Sequence, residues 1–354
     1  MKGTKKEKEL DQLFNQDSAN DSFGKIIGKA KRRTILRNVV ISVLVLGVLT
    51  IIFGIAWLSI MRWHEDNALQ DIELFSQITD PNVEEAGVQH EGNGLLEGIL
   101  RFERYKVIEG VPVDWSEETM TYSFFGGVSG FTGSHSFIQL EDENSGLMKS
   151  YDRETKQRVL SFYHPKVEYA GVPNELSELK RFSEGTVAEI ALSFDQAYTP
   201  SEVWESMPEG VTLKWYWVDT YSSEDLDWIN HQADGAPEEI KNEIASSPEL
   251  ANQVYGFEEI RPEVDEALMD ESQLKSEDFF VENIEAGLSI EDGKYYGEYK
   301  RIHDLLKGDA PRLTGADVHI IGAVVTGDTE SLQSLQDLPM IRASALGVTA
   351  NPYQ

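Results

Sequence analysis

No cysteine occurs anywhere in the 354 residues. Its absence excludes disulfide staples, thiol nucleophiles and cysteine-ligated zinc, so an exported domain must be stabilised by its core alone. Positive charge is scarce as well: 31 Lys and Arg face 62 Asp and Glu, a formal net charge of −31. A surface of that sign repels phosphate backbones, which argues against nucleic-acid binding by the bulk of the chain. The seven histidines never stand at metal-ligand spacing, and no His-Glu-x-x-His, phosphate loop or dinucleotide fingerprint is present. Two partial patterns fall short. Ser129 lies between glycines in GGVSGFTGSH, near His135, but Phe131 stands where a nucleophile elbow needs glycine. A calcium-like loop running from Glu141 through Glu143, Ser145 and Gly146 to Asp152 lacks the usual Asp first and Glu last. No enzymatic activity, cofactor or metal is expected.

Long apolar runs are also rare, and the one that exists decides the class of protein. Between Arg37 and Arg62 lie 24 residues without a charge, mostly Val, Leu and Ile. As a helix they span about 36 Å, enough for a hydrocarbon core of roughly 30 Å. In lipid only a helix satisfies every backbone group within one segment. The run is too long for a cleaved signal peptide, and Trp-Leu-Ser-Ile-Met-Arg is a poor cleavage site, so an uncleaved anchor is expected. Residues 1–37 carry a net charge of +5 and residues 38–354 carry −36. Basic flanks stay in the cytoplasm, which puts the N-terminus inside and the large acidic part outside.

The tail has two apolar patterns at helical spacing, Leu10, Leu13 and Phe14, then Phe23, Ile26, Ile27 and Ala30, separated by the polar NQDSAND. Asp21 or Ser22 is the expected N-cap of the second. Two readings stand. The tail is a basic leader lying on anionic lipid, or a pair of docking helices that fold on a cytoplasmic partner. Within the anchor, Gly47, Thr50 and Gly54 share one face, where small side chains let transmembrane helices approach.

Beyond the anchor the expected division is a juxtamembrane stalk over 62–94, a β-rich region over 95–161 and a C-terminal domain over 162–354. The stalk begins with a short amphipathic stretch (Leu69, Ile72, Leu74, Phe75) and ends in Pro and Gly breakers. LLEGILRFERYKVIEG, TMTYSFFGGVSGF and HSFIQL read as strands, and EDENSG as a hairpin connection. Val187–Thr220 and Val318–Ala350 each read strand, capped helix, strand. Thr199-Pro200-Ser201-Glu202 is a capping box, and Asp328 or Thr329 caps the second helix, with Leu332, Leu335 and Leu338 facing inward. The expected fold is therefore α+β: split βαβ, ferredoxin-like units on a single transmembrane helix. Between the units, Ser222–Ala310 is an acidic helical insertion of net charge −17, with helices expected in APEEIKNEIA, SPELANQVYG and KYYGEYKRIHDLLKG.

Several of these phrases carry a family likeness. FYHPKVEYA, GTVAEIALSFDQAYTPSEVW with LKWYWVDTY, and GAVVTGDTESLQSL with IRASALGVTANPY resemble the sigma factor regulator C-terminal domain of Gram-positive bacteria. FGKIIGKAKRRTILRNVVISVLVLGVL and the segment after it resemble the companion N-terminal domain. The resemblance implies a single-pass anti-sigma factor that holds an extracytoplasmic-function sigma factor at the inner membrane face and releases it on envelope stress. Better-known anti-sigma domains are helical bundles, often with a His/Cys zinc site. This tail has neither residue and is too short for such a bundle, so sigma binding would use the short amphipathic segment or a second membrane protein. The alternative is an exported binding or scaffold module whose basic leader serves only orientation.

Overall fold

The computed structural model describes residues 16–130, 137–142, 145–231, 247–260 and 275–352, without the side chains of 16–23. Two compact units divide it, one ending at Arg62 and the other beginning at Trp63.

The first unit is helical. Helix α1 (Gln16–Ser76) already includes Asp17–Asp21, so the polar break and the N-cap expected at Asp21 or Ser22 are replaced by continuous helix. Once a long apolar segment has nucleated a helix, extension adds one hydrogen bond per residue fixed, and a few polar residues do not stop it. Nearly every side chain from Gly24 to Ile60 is exposed, as befits a segment long and apolar enough to cross a membrane.

The second unit opens on the last turns of α1. Ala68, Asp71 and Ile72 are buried and Phe75 is half-buried, an i, i+3, i+4, i+7 stripe packed against the rest of the unit. Strands β1 (Glu84–Asn93), β2 (Glu97–Ile108), β3 (Val111–Asp114), β4 (Glu118–Ser123) and β5 (Val128–Gly130) form an antiparallel sheet in the order β1-β2-β4-β5, with β3 also on β2. The residues assigned to a stalk thus supply a docked helix end and a strand. In β2, Leu100, Phe102, Lys106 and Ile108 point inward with period two. Strands β6 (Ile138–Glu141) and β7 (Met148–Tyr151) pair as a hairpin, and β8 (Ser161–Phe162) follows.

The central sheet begins with β9 (Val187–Tyr198), helix α2 (Pro200–Ser206) and β10 (Val211–Val218). Helix α3 (Ser223–His231), β11 (Glu249–Leu250), β12 (Gly256–Glu258), α4 (Ser276–Leu288) and α5 (Tyr296–Lys307) belong to the acidic insertion. Then come β13 (Ile320–Asp328), α6 (Thr329–Gln333) and β14 (Ile341–Ala350). The strand order is β12-β10-β13-β9-β14, all neighbours antiparallel. Two strand–helix–strand passages therefore share one sheet: β9 and β10 run parallel to each other on either side of β13, and β13 and β14 on either side of β9. SPELANQVYG forms no α-helix; Glu249–Leu250 pairs with Phe162–Ser161, and a single 3-10 turn, Ala251–Gln253, precedes β12. APEEIKNEIA lies outside the described residues.

Both faces of this sheet are covered, so β9 is buried from Val187 to Phe194. One face carries Ile190, Leu192 and Phe194 against Val203 of α2, Leu332 of α6 and Leu335, together with Phe280 and Ile284 of α4 and Tyr299 and Ile302 of α5. The other packs Trp215, Trp217, Ile321 and Val324 on Val159, Leu160, Phe162 and Val254. At the edge, a side chain on Gly256 would meet the Tyr216 carbonyl at 1.8 Å, so only glycine lets β12 close on β10.

Both helix starts predicted between strands of the central sheet are formed. Thr199 Oγ1 accepts from Glu202 N (3.3 Å) while Glu202 Oε2 accepts from Thr199 N (2.8 Å), and Asp328 Oδ1 accepts from Glu330 N and Ser331 N. Thr199→Ala is expected to lower the stability of the second unit by about 1 kcal/mol, read as a small fall in Tm.

Candidate functional site

The tail residues come first. Ile26 and Ile27 project from α1 with 64% and 62% of their surfaces exposed, two to six positions before the basic Lys29, Lys31 and Arg32. Leu10, Leu13 and Phe14 lie outside the described residues, and Phe23 falls within α1 but its side chain is not described. Gly47 and Gly54 are also uncovered, with nothing within 4 Å of an added Cβ. Thr50 satisfies its hydroxyl on the Leu46 carbonyl at 2.9 Å, which leaves a compact apolar surface between the two glycines.

The family-like phrases of the second unit meet in two buried polar clusters. At the first, Lys106 and Glu189 are both fully buried, with Nζ 3.0 Å from each carboxylate oxygen. Asn82 Nδ2 donates to Glu189 Oε1 (2.7 Å), Val348 N to Oε2 (3.4 Å), and Lys106 Nζ also donates to the Pro81 carbonyl and lies over the Trp115 ring. A side chain on Gly347 would meet Glu189 Oε2 at 2.5 Å. The closing Gly-Val-Thr therefore gives the carboxylate space and one amide donor. Burying two charges is tolerable only when their remaining hydrogen-bond capacity is met, and here it largely is.

The second cluster surrounds His164. Its Nδ1 accepts from Lys166 N (3.1 Å), which leaves the proton on Nε2, 3.4 Å from Asp219 Oδ1. Arg342 donates to the carbonyls of His164 (2.6 Å) and Val167 (3.0 Å), and the His164 amide donates to the Tyr169 hydroxyl. Burial pushes the Asp219 carboxyl up, but the bond from His164 and the charge of Lys166 outweigh it and hold the group below its ordinary range. The imidazole and carboxylate have the pairing of a catalytic dyad. The other contacts described around them are the Lys166 ammonium, 3.6 Å from Asp219 Oδ2, backbone groups, the Tyr169 hydroxyl and aromatic rings, and together they tie the FYHPKVEYA segment to β10 and β14.

A third junction holds the end of α1. Asp71 Oδ2 accepts from Lys294 N at 2.6 Å, Oδ1 has no hydrogen-bond partner among the described residues, and Phe75 stacks on Tyr295 with ring centroids 3.7 Å apart. Burial holds the Asp71 carboxyl above its ordinary range, against the lowering pull of the Lys294 and Tyr295 amides. Between the unfolded and the raised folded value the folded chain binds more protons, so stability falls as pH rises through that window. Asp71→Asn keeps an acceptor for Lys294 N and carries no charge. It is expected to be more stable than the parent at neutral pH, with the gap closing below about pH 4, in thermal melts recorded across pH.

The patterns weighed as catalytic or metal-binding sit in ordinary turns. Gly126 and Gly127 adopt positive φ before Ser129 on β5. Asp142 accepts from Ser145 N and pairs with Lys149, and Asp152 accepts from Glu154 N and Thr155 N. Among the described residues no group of three His, Asp or Glu side chains is placed to hold a metal. Sequence reasoning missed Lys106, Glu189 and Asp71 as partners. The only signal was a lone charge inside each apolar stretch.

Comparison with known families gives two matches. Residues 179–348 match the model described as sigma factor regulator C-terminal, and residues 24–113 match sigma factor regulator N-terminal. Together these cover most of the chain. The ion pair takes Lys106 from one matched segment and Glu189 from the other. Neither a curated protein nor a solved structure matches the chain.

Proposed function

The chain belongs to the sigma factor regulator family, and from that premise we propose that it is a membrane-anchored negative regulator of an extracytoplasmic-function sigma factor. The observation that carries the proposal is the exposed Ile26–Ile27 pair on a basic helix directly ahead of the apolar span. Phe23, Ile26 and Ile27, with Leu10, Leu13 and Phe14, cover a sigma surface that RNA polymerase needs. The +5 tail supports a cytoplasmic N-terminus and an exported C-terminal unit. In this reading residues 1–37 bind, 38–61 anchor, and the exterior biases release under envelope stress. Gly47, Thr50 and Gly54 pack the anchor against a second transmembrane helix, its own copy or another membrane protein, because a lone helix transmits a signal poorly. We further read the central sheet as two split βαβ, ferredoxin-like units, on the support that each helix-joined pair of strands brackets a strand of the other.

The test is co-isolation. Tagged full-length protein extracted from membranes is expected to bring down one sigma factor. A preparation that retains none, even with the other membrane proteins still present, overturns the proposal.

A further inference from the structure

A cavity of 330 Å³ lies within the second unit, where the two matched segments meet. The first segment supplies the end of α1, the chain leading into β1 and one residue of β2; the second supplies β12 and the start of α4. Part of the lining is apolar. Phe257 and Phe280 are buried with ring centroids 5.3 Å apart, and the half-buried Val83 and Phe279 line the same space. The charged part is anionic: Asp80, Glu84, Glu85 and Glu258 stand against a single cation, Arg104.

That cation is already engaged. Arg104 Nε donates to the Ser116 carbonyl at 2.8 Å, and one terminal nitrogen lies 2.8 Å from Glu118 Oε2 and 3.6 Å from Asp80 Oδ2. Glu84, Glu85 and Glu258 form no ion pair among the described residues. The cavity walls displace water from Glu85 and Glu258 and hold both carboxyls above their ordinary range. Glu73 and Asp80 push Glu85 the same way against Arg104, and Glu84 pushes Glu258 the same way against Lys214. The start of α4 does not supply the missing positive charge, because Glu277 and Asp278 occupy its first turn. A cation held in the cavity would relieve these repulsions.

We propose that this cavity binds a small organic ammonium ion, its charge held by Glu85 and Glu258 and its apolar body on Phe257 and Phe279. The two linings together select the class. A bare metal ion is disfavoured, because among the described residues no three carboxylates converge to hold one. A neutral apolar molecule would leave the carboxylates unanswered. The volume stands at the lower end of the roughly 300–1,000 Å³ of small-molecule sites, which suits a compact ligand and not a peptide segment. Such a ligand touches the second unit alone, so its binding stands with or without the sigma-factor reading. Because both matched segments line the cavity, the bound ion stabilises their junction.

The test uses 2-phenylethylammonium, titrated calorimetrically into the full-length chain in nanodiscs of zwitterionic lipid, with empty nanodiscs as the blank. Saturable one-to-one binding is expected, with a dissociation constant below about 1 mM for a ligand of this size. Neutral 2-phenylethanol lacks the charge and methylammonium lacks the apolar body, so each is expected to bind roughly tenfold more weakly or worse. Glu85→Gln and Glu258→Gln are each expected to weaken the probe about fivefold, and the double variant by about twentyfold or more. Glu330→Gln on α6, outside the cavity lining, leaves binding unchanged. Neutralising Glu85 or Glu258 removes a repulsion, so thermal melts of these variants are expected to show no loss of stability at neutral pH. Affinity for the probe falls as pH is lowered through the carboxyl range, because the ion needs both glutamates ionised. Heat no greater than that of empty nanodiscs overturns the proposal. So does 2-phenylethanol binding as tightly as the amine, which would mean an apolar pocket with no use for charge. Undiminished binding to the double variant would place the ammonium elsewhere on this acidic chain and overturns it equally.

Discussion

Serine at Phe23, Ile26 and Ile27 is expected to raise transcription of the sigma-dependent genes to nearly the level of a strain lacking the chain. The reasoning is energetic. Ile26 and Ile27 are exposed in the structure, so their apolar surface is available to a partner and buries nothing within the chain. Burying a side chain of that size contributes about 2 kcal/mol. Losing three removes roughly 6 kcal/mol, on the order of a ten-thousand-fold weakening, enough to free a sigma factor held at nanomolar affinity. Protein level and membrane insertion stay unchanged, since the substitutions lie ahead of the uncharged run. A reporter fused to a sigma-dependent promoter, compared with immunoblots of the membrane fraction, reads the effect. No change in the reporter would favour the scaffold reading, in which the basic leader serves only orientation.

Breaking the buried ion pair is expected to have the largest effect on stability. Lys106→Met strands the Glu189 carboxylate in a site with no access to water, at a cost of about 3–5 kcal/mol. For a unit of this size that lowers Tm by about 5–8 °C. Glu189→Gln strands the ammonium in the same way, although the amide still accepts from Val348 N. The double variant Lys106→Met/Glu189→Gln removes both charges and is expected to recover most of the loss. The signature is this non-additivity in a double-mutant cycle on thermal unfolding of the full chain. Additive single losses would mean that the charges act independently, against the geometry seen here.

Much of the architecture was legible in the sequence, and the parts that were not share physical causes. The strand–helix–strand passages around Val187–Val218 and Ile320–Ala350 announced themselves through apolar runs ended by capping residues, signals that are local. Strand β1 was invisible because nine of its ten residues are exposed, so no face alternates. The helix expected in SPELANQVYG failed because Leu250 and Val254 are drawn to the tryptophan face of the sheet, a tertiary preference that spacing cannot reveal. Lys106 and Glu189 stand 83 residues apart, and each alone reads as a solvated charge. The roles of Gly347 and Arg342 follow the same rule. Their phrases were recognisable as family features, but the reason for them appears only once β14 lies beside β9 and the His164 segment.

In the proposed mechanism the tail competes with RNA polymerase for one surface of the sigma factor, and this can be measured with purified components. The full-length chain in lipid nanodiscs would be added to the co-isolated sigma factor, then core polymerase and a template bearing its promoter. The expected result is transcript that falls as the chain is titrated in and is restored by the Phe23, Ile26 and Ile27 serine variant. Transcript unaffected by the chain, or suppressed equally by the serine variant, would contradict it.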